Sequence, residues 1–258
     1  MNTPLVLTER RGAALWIKLN RPERRNALND EVVRGISGAM AGAAGDPAVR
    51  VLVVTGAGDR AFCAGGDLGP DGAFTFDFAR PRSAYGDLLR QAQDCPLPII
   101  AAVNGACMAG GMGLLAMADV AVAVENATFG LPEARLGLFP MQVISLLKAL
   151  VPPRRLREWA LTGAAFDAGT AREAGLINRI TAPDTLEATV TEIAEAMALC
   201  SPTALRRGKY AMRALDAMDF DEAIAFAEGQ ITLLSLTEDA REGLASFTEK
   251  RRPNFTGR

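Results

Sequence analysis

Two short, wholly apolar runs, each emptying into a glycine-bearing turn, constrain this chain most. The first, Val51 to Val54, is followed by Thr55-Gly-Ala-Gly-Asp-Arg and then Phe62-Cys-Ala-Gly65-Gly66-Asp67-Leu68. The second, Ile99 to Val103, is followed by Asn104-Gly105 and then Ala109-Gly110-Gly111. Neither alternates polar with apolar residues, so both faces of each strand must be covered, as in the parallel sheet of an α/β protein. Asn-Gly turns the chain. Glycines at the entrance of the apolar helix that runs toward Asp119 permit close approach to the backbone. They also leave N–H groups unpaired where the helix dipole reinforces them, an arrangement that can hold a developing negative charge. Tight helix-to-strand packing by small residues is the alternative use of the same glycines.

In chain order, Val6 and the stretch Ala14 to Leu19 read as strands joined at Arg11-Gly12. Asn20 to Asn29 is a polar loop, and Asp30 opens an amphipathic helix with Val32, Val33, Ile36, Met40 and Ala43 on one face, ending near Gly45. This β-then-α alternation predicts layered α/β architecture with crossover connections. Gly56-Ala-Gly58 is not a dinucleotide-binding fingerprint, because residue 61, where the third glycine would fall, is alanine and no helix start follows. Gly69 to Arg82, with Phe74, Phe76 and Phe78, reads as a loop over a pocket, and a helix covers about 83–94. Beyond Pro140, helices are expected near 143–150, 154–161 and 168–174, a strand over 176–180, and a helix over 184–200. Ser201-Pro202, the Asp219/Glu222 pair and Thr237 mark three further helix starts, so residues 201–258 form a helical region distinct from the mixed core of residues 1–200.

The chain has no histidine, and none of its four cysteines forms a C-x-x-C pair. That argues against a structural zinc site and removes every nucleophile that needs imidazole. Cys63 and Cys107 flank the glycine turns, but no nearby charge would activate them, so they read as small buried hydrophobes. With 28 basic and 30 acidic residues the net charge is −2, which favours no nucleic-acid partner. Neither a signal core nor a membrane-length apolar run is evident, and a cytoplasmic location is expected.

Phe62-Cys-Ala-Gly-Gly-Asp-Leu, Val103-Asn-Gly with Ala109-Gly-Gly, and Phe129-Gly-Leu-Pro-Glu133 resemble the three signature segments of the crotonase (enoyl-CoA hydratase/isomerase) superfamily. The likeness extends from Asn20-Arg-Pro and Asn26-Ala-Leu-Asn to Arg241-Glu-Gly and Phe247-Thr-Glu-Lys250. It implies a spiral of ββα units with a C-terminal helical region that assembles a homotrimer or homohexamer. It implies an acyl-CoA thioester as substrate, with coenzyme A entering as part of that substrate and no tightly bound cofactor. By position, the N–H groups of Gly66 and Gly110 would grip the thioester oxygen. Arg24 or Arg25 would meet the coenzyme's phosphates, Ala27 its adenine, Ala64, Asp67 and Leu68 its pantetheine arm, and Lys250 a phosphate or the adenine.

Hydratases of that superfamily carry two glutamates. One corresponds to Glu133; the other falls at residue 113, which here is glycine. The acid that some relatives carry eight residues after the Glu133 position is Met141 here, and Gln142 could orient a group but not act as a base. A lone carboxylate suits removal of a proton at one carbon and its return at another, so double-bond isomerisation is the expected chemistry. Hydration would need a substitute acid from Asp67, Asp71, Asp77 or Asp87, and a non-catalytic acyl-CoA-binding protein is the reading from another class. Glu133 is expected to have its pKa raised by Phe129, Leu131, Leu136 and Leu138, the alternative being an ion pair with Arg135. Phe74, Met108, Met112, Leu131 and Phe139 suggest an apolar acyl pocket.

Overall fold

The computed structural model describes residues 3–67, 79 and 81–258. Leu68, Phe74, Phe76, Phe78, Asp71 and Asp77, and most of the expected loop over the pocket, lie outside the described residues.

The chain begins with β1 (Val6–Arg11) and β2 (Ala14–Leu19), an antiparallel pair, and then α1 (Asp30–Ala44). Asn29 caps α1, its side chain accepting from the Val32 N–H at 2.9 Å. Three ββα units follow. The first is β3 (Val51–Gly56), β4 (Ala61–Cys63) and α2 (Ala84–Gln93). The second is β5 (Ile99–Val103), β6 (Ala106–Met108) and α3 (Gly110–Ala116). The third is β7 (Val120–Val124), β8 (Thr128–Gly130), a 3-10 turn over Pro132–Leu136, and α4 (Met141–Leu150). Then come α5 (Pro153–Thr162), β9 (Phe166–Asp167), α6 (Ala168–Glu173), β10 (Arg179–Thr181) and α7 (Leu186–Ala198).

The long strands form one sheet in the order β1-β2-β3-β5-β7-β10, parallel from β2 onward. The short ones form a second sheet, β4-β6-β8-β9. Each unit lays one strand in each sheet before turning into its helical segment, which winds the chain into a spiral. Every residue of β3 and β5 is buried, as their unbroken apolar sequence requires. Asn104 joins successive units: its amide donates to the Gly56 and Gly58 carbonyls at 3.0 and 2.7 Å and accepts from the Gly56 N–H at 3.1 Å. Gly56-Ala-Gly58 therefore leads into a strand, not a helix.

The strand expected over 176–180 is shorter and later. Asn178 sets its start: its side chain accepts from the Ala121 N–H at 2.8 Å while its own N–H donates to the Ala121 carbonyl at 2.9 Å, and the ladder begins at Arg179. Leu176 and Ile177 are buried, but in the turn before the ladder.

Residues beyond 201 form α8 (Pro202–Leu215), α9 (Phe220–Ser235) and α10 (Glu238–Thr248). Ser201 and Thr237 cap α8 and α10, and Asp219 with Glu222 makes a full capping box on α9. Lys209 fastens α8 to the core: its ammonium donates to the Leu97 carbonyl at 2.8 Å and to Asp119 at 2.6 Å, the carboxylate that also receives the Ile99 N–H. No residue of α9 is buried, and Phe220, Ile224, Ile231 and Leu233 are exposed.

Asp239 is the buried acid of this region. It accepts from the Ser201 hydroxyl at 2.7 Å and from the N–H groups of Thr256 and Gly257 at 2.9 and 3.0 Å, clasping the C-terminal residues to the start of α8. Burial alone would raise its carboxyl, but these hydrogen bonds outweigh burial and hold it below the usual range. The stability it contributes is present above the ordinary carboxylate pKa and is lost as pH falls through the depressed folded-state value. Asp239→Ala is expected to cost about 2 kcal/mol near neutrality, several degrees in Tm, with the difference from wild type narrowing below about pH 4. Thermal denaturation of both proteins across pH 3–7 checks this.

Candidate active site

The spiral brings the two glycine turns side by side. Residues 21–28 close around the first of them. Arg25 and Asn26 both take left-handed backbone conformations (φ 50° and 56°), a region asparagine tolerates well. Asn26 is buried, and its amide donates to the Ala61 and Ala57 carbonyls at 2.7 and 3.0 Å while accepting from the Arg21 N–H at 3.0 Å. Three backbone bonds then zip this loop to the glycines: Ala64 N–H to Arg25 O, Leu28 N–H to Gly65 O, and Asp67 N–H to Leu28 O, at 3.0, 2.7 and 2.8 Å. Arg21 locks the zip, donating to the Ala27 carbonyl and pairing with Asp67, both at 2.8 Å. The parallel bridge between Leu28 and Gly66 leaves the Gly66 N–H with no acceptor among the described residues.

The second turn presents the other donor. Ala109 enters α3 with φ 49° and ψ −120°, an uncommon backbone state for a residue with a Cβ, and its N–H donates to the Gly130 carbonyl at 2.9 Å. Gly110, the next residue, has an N–H with no acceptor among the described residues. The two turns touch at Gly65, which has φ 95°: a Cβ there would lie 2.6 Å from the Ala109 Cβ and 3.2 Å from the Gly110 nitrogen. Only glycine allows this approach. Gly66 and Gly110 thus offer two unaccepted N–H groups from adjoining turns, the arrangement of an oxyanion hole.

Glu133 stands in the 3-10 turn after β8, the strand that pairs with β6 just before Ala109. Its Oε2 is buried and has no hydrogen-bond partner among the described residues. Burial raises its pKa above the ordinary glutamate value, only partly offset by a backbone hydrogen bond. Phe129 and Leu131 are fully buried and belong to that apolar setting, but Leu136 and Leu138 are 60% and 44% exposed and do not. The ion pair with Arg135 does not form; the Arg135 guanidinium donates instead to the Thr162 carbonyl at 3.0 Å.

No second described carboxylate is placed to assist. Asp87 is exposed and paired with Arg82 and Arg90, which hold its carboxyl below the usual range. Asp67 is engaged by Arg21 and, at 3.9 Å, by Arg24. Gln142 donates to the Ser83 hydroxyl at 2.7 Å, tying α4 to the start of α2, and so does not serve the site. Cys63 and Cys107 are buried, and burial pushes the Cys63 thiol up to about 12 and the Cys107 thiol well above its usual value, so neither is a nucleophile. Met112 and Leu131 are wholly enclosed in the core; Met108 and Phe139 are partly exposed.

Among the residues expected to meet a coenzyme, Arg24, Ala27, Ala64 and Asp67 cluster along the zipped loop. Lys250 follows the end of α10, the helix that packs on α8 and α9, in a left-handed conformation with φ 54°. The neighbouring Arg251 is committed to Glu242 and Glu249. A separate cleft of about 460 Å³, lined by Trp16, Lys18, Asn104 and Glu187 among others, contains none of these groups.

Three participants escaped the sequence reading. Arg21 and Asn26 lie in segments that carry the family likeness, but their roles do not show there, because they act through bonds to residues far along the chain. Tyr85 is the third: its hydroxyl donates to the Gly110 carbonyl at 2.5 Å, and nothing in its own helical segment marks it.

The enoyl-CoA hydratase/isomerase family model matches residues 9–258. The chain is 35% identical to 2,3-dehydroadipyl-CoA hydratase of Escherichia coli, over 98% of this chain and 99% of that one. It is 32% identical to crotonyl-CoA hydratase of Syntrophomonas wolfei, over 97% of each. A solved enoyl-CoA hydratase from Mycobacterium smegmatis superposes with a TM-score of 0.91 at 30% identity, over 98% of this chain and 99% of that one. With its spiral of ββα units, adjoining glycine turns and buried glutamate, the chain belongs to the enoyl-CoA hydratase/isomerase family of the crotonase superfamily, acting on acyl-CoA.

Proposed function

We propose that this protein shifts the double bond of an enoyl-CoA, with Glu133 as the single acid and base and the N–H groups of Gly66 and Gly110 as the oxyanion hole. The observation that carries the reading is the buried, unpartnered Oε2 of Glu133, with no second described carboxylate placed to share its work. For a 3-enoyl thioester, Glu133 removes a proton from C2. The electron pair moves onto the thioester oxygen, where the two N–H groups receive it. The enolate then collapses and C4 takes the proton back from Glu133, leaving the double bond between C2 and C3. One C–H bond breaks, one forms, and nothing is oxidised. Each preorganised donor in such a hole contributes roughly 3–4 kcal/mol to the transition state.

The coenzyme portion of the substrate would lie along the zipped loop, with phosphates near Arg24 and Arg25, adenine near Ala27 and the pantetheine arm along Ala64 to Asp67. The exposed apolar side chains of α9, with Leu244 and Phe247 on α10, supply a surface for homotrimer or homohexamer assembly. Hydration is the second reading, favoured by the names of the relatives, and it requires a water held without a second glutamate.

The decisive assay follows ultraviolet absorbance with two substrates. A 3-enoyl-CoA gains conjugation and absorbance on isomerisation; a 2-enoyl-CoA loses both on hydration. We expect a rise with the first and little change with the second, and Glu133→Gln to lower the rise by roughly 10²–10⁴-fold. A fall with the second substrate at a comparable rate would make the enzyme a hydratase.

The state of Glu133 predicts two further results. The base must be ionised, so activity should fail on the acid side at a pH above the ordinary glutamate range, as pH drops through the raised value. A raised folded-state carboxyl destabilises the fold when it ionises, so removing it should help at high pH. Glu133→Gln is expected to match or exceed the wild-type Tm at pH 8, with any advantage lost as pH is lowered toward 4. Calorimetry at both pH values checks this.

A further inference from the structure

The entrance to α3 is held at two points. On one side the Ala109 N–H is fixed by the Gly130 carbonyl; on the other the Gly110 carbonyl is fixed by the Tyr85 hydroxyl. Between these bonds lies the unaccepted Gly110 N–H. The strained dihedrals of Ala109 need such restraint, because an uncommon backbone state persists only where its surroundings over-determine it. Tyr85 stands in the first turn of α2, whose N-cap Ser83 is itself held by Gln142, so the phenol reaches across from a fixed base.

The hydroxyl also occupies a definite volume. A Cβ on Gly113 would lie 1.9 Å from the Tyr85 Oη, 3.1 Å from its Cζ and 3.4 Å from a Val143 methyl. Glycine inside a helix is ordinarily a disadvantage relative to alanine, so its use at residue 113 calls for a reason, and the phenol supplies one. Burial, and after it the proximity of Cys63, Cys107 and Glu133, raises the phenol well above its usual pKa and keeps it protonated. A neutral donor suits this place, since a phenolate would set a second negative charge beside the nascent enolate.

We propose that Tyr85 is a positioning residue for the oxyanion hole: its hydroxyl holds the Gly110 carbonyl and so aims the Gly110 N–H, and residue 113 is glycine to leave that hydroxyl room. This rests on the reading of Gly110 as an oxyanion donor, but not on which reaction follows enolate formation.

The test is a double-mutant cycle of Tyr85→Phe and Gly113→Ala. It is read by NMR as exchange of the α-hydrogens of butanoyl-CoA with D2O, alongside the Kd for butanoyl-CoA and the Tm. Exchange requires only the base and the oxyanion hole, so it is independent of the isomerase assignment. Y85F is expected to slow exchange about 10–100-fold, the scale of a misplaced donor, while Kd changes less than about twofold. G113A should slow exchange by a similar factor in the wild-type background, where its methyl meets the hydroxyl, and by a clearly smaller factor in Y85F, where the hydroxyl is gone and the 3.1 Å approach to the ring Cζ remains. Unchanged exchange in Y85F overturns the proposal. So do fully additive effects, or a Y85F whose lower Tm and weaker Kd fall in step with exchange, which would make the phenol a packing group. Wild-type protein that exchanges α-hydrogens but turns over neither enoyl-CoA sinks the isomerase reading and leaves the cycle to decide on Tyr85. Wild-type protein that catalyses no exchange overturns both.

Discussion

Two backbone N–H groups left without an acceptor among the described residues are the constraint on which this site depends. Most backbone N–H groups are taken up inside the fold; that these two, on an exposed Gly66 and a half-buried Gly110, stay clear of it in adjoining turns is enforced by their neighbours. At Gly66 the enforcement is the loop from Arg21 to Leu28: its three bonds to residues 64–67 use the N–H groups of Ala64 and Asp67 and the carbonyl of Gly65, and skip the N–H between them. At Gly110 it is the pair of restraints on either side, one from β8 and one from Tyr85. Glu133 Oε2 is a buried acceptor with no donor among the described residues. Instability held at such groups is what a substrate can relieve, provided the rest of the fold is firm enough to carry it.

That firmness comes from repetition. Each of β3, β5 and β7 ends where the chain leaves the main sheet and drops into the second one, so successive connections stack in register. Asn104 makes the stacking explicit, bonding the turn after β3 from the turn after β5. The stacked short strands β4 and β6 then deliver residues 63–67 and 109–110 to neighbouring positions, and β8 delivers Glu133 one step further on. A donor from each of two units and an acid from the third converge without any of them being close in sequence.

Much of this was legible beforehand, and the limits follow from physical range. Buried strands such as Ile99 to Val103 show as apolar runs, and the caps at Ser201, Asp219 and Thr237 show because their bonds span only three residues. Glu133 and both glycines were visible through family likeness, and its raised pKa through Phe129 and Leu131. Three-residue strands such as β4, β6 and β8 carry no usable periodicity, and Leu136 at the end of the 3-10 turn and Leu138 just beyond it are apolar yet exposed. Tyr85 was invisible because its meaning lies in what a residue elsewhere, Gly113, does not have.

Gly113 is where sequence and structure bear on the same question from opposite sides. Read along the chain, it is a missing acid and suggests loss. In the folded protein the space beside it is filled: a phenol oxygen stands where a side chain at residue 113 would begin. An incidental vacancy would be expected to collapse or to hold an apolar group. Here it holds a hydrogen-bonded hydroxyl aimed at the same helical turn as the candidate oxyanion donor. A carboxylate at residue 113 would have to displace Tyr85 and release Gly110, so a second acid and this form of the hole exclude one another sterically. With Gly66, Gly110 and Glu133 all present, residue 113 borders a filled space and not a gap left by an acid.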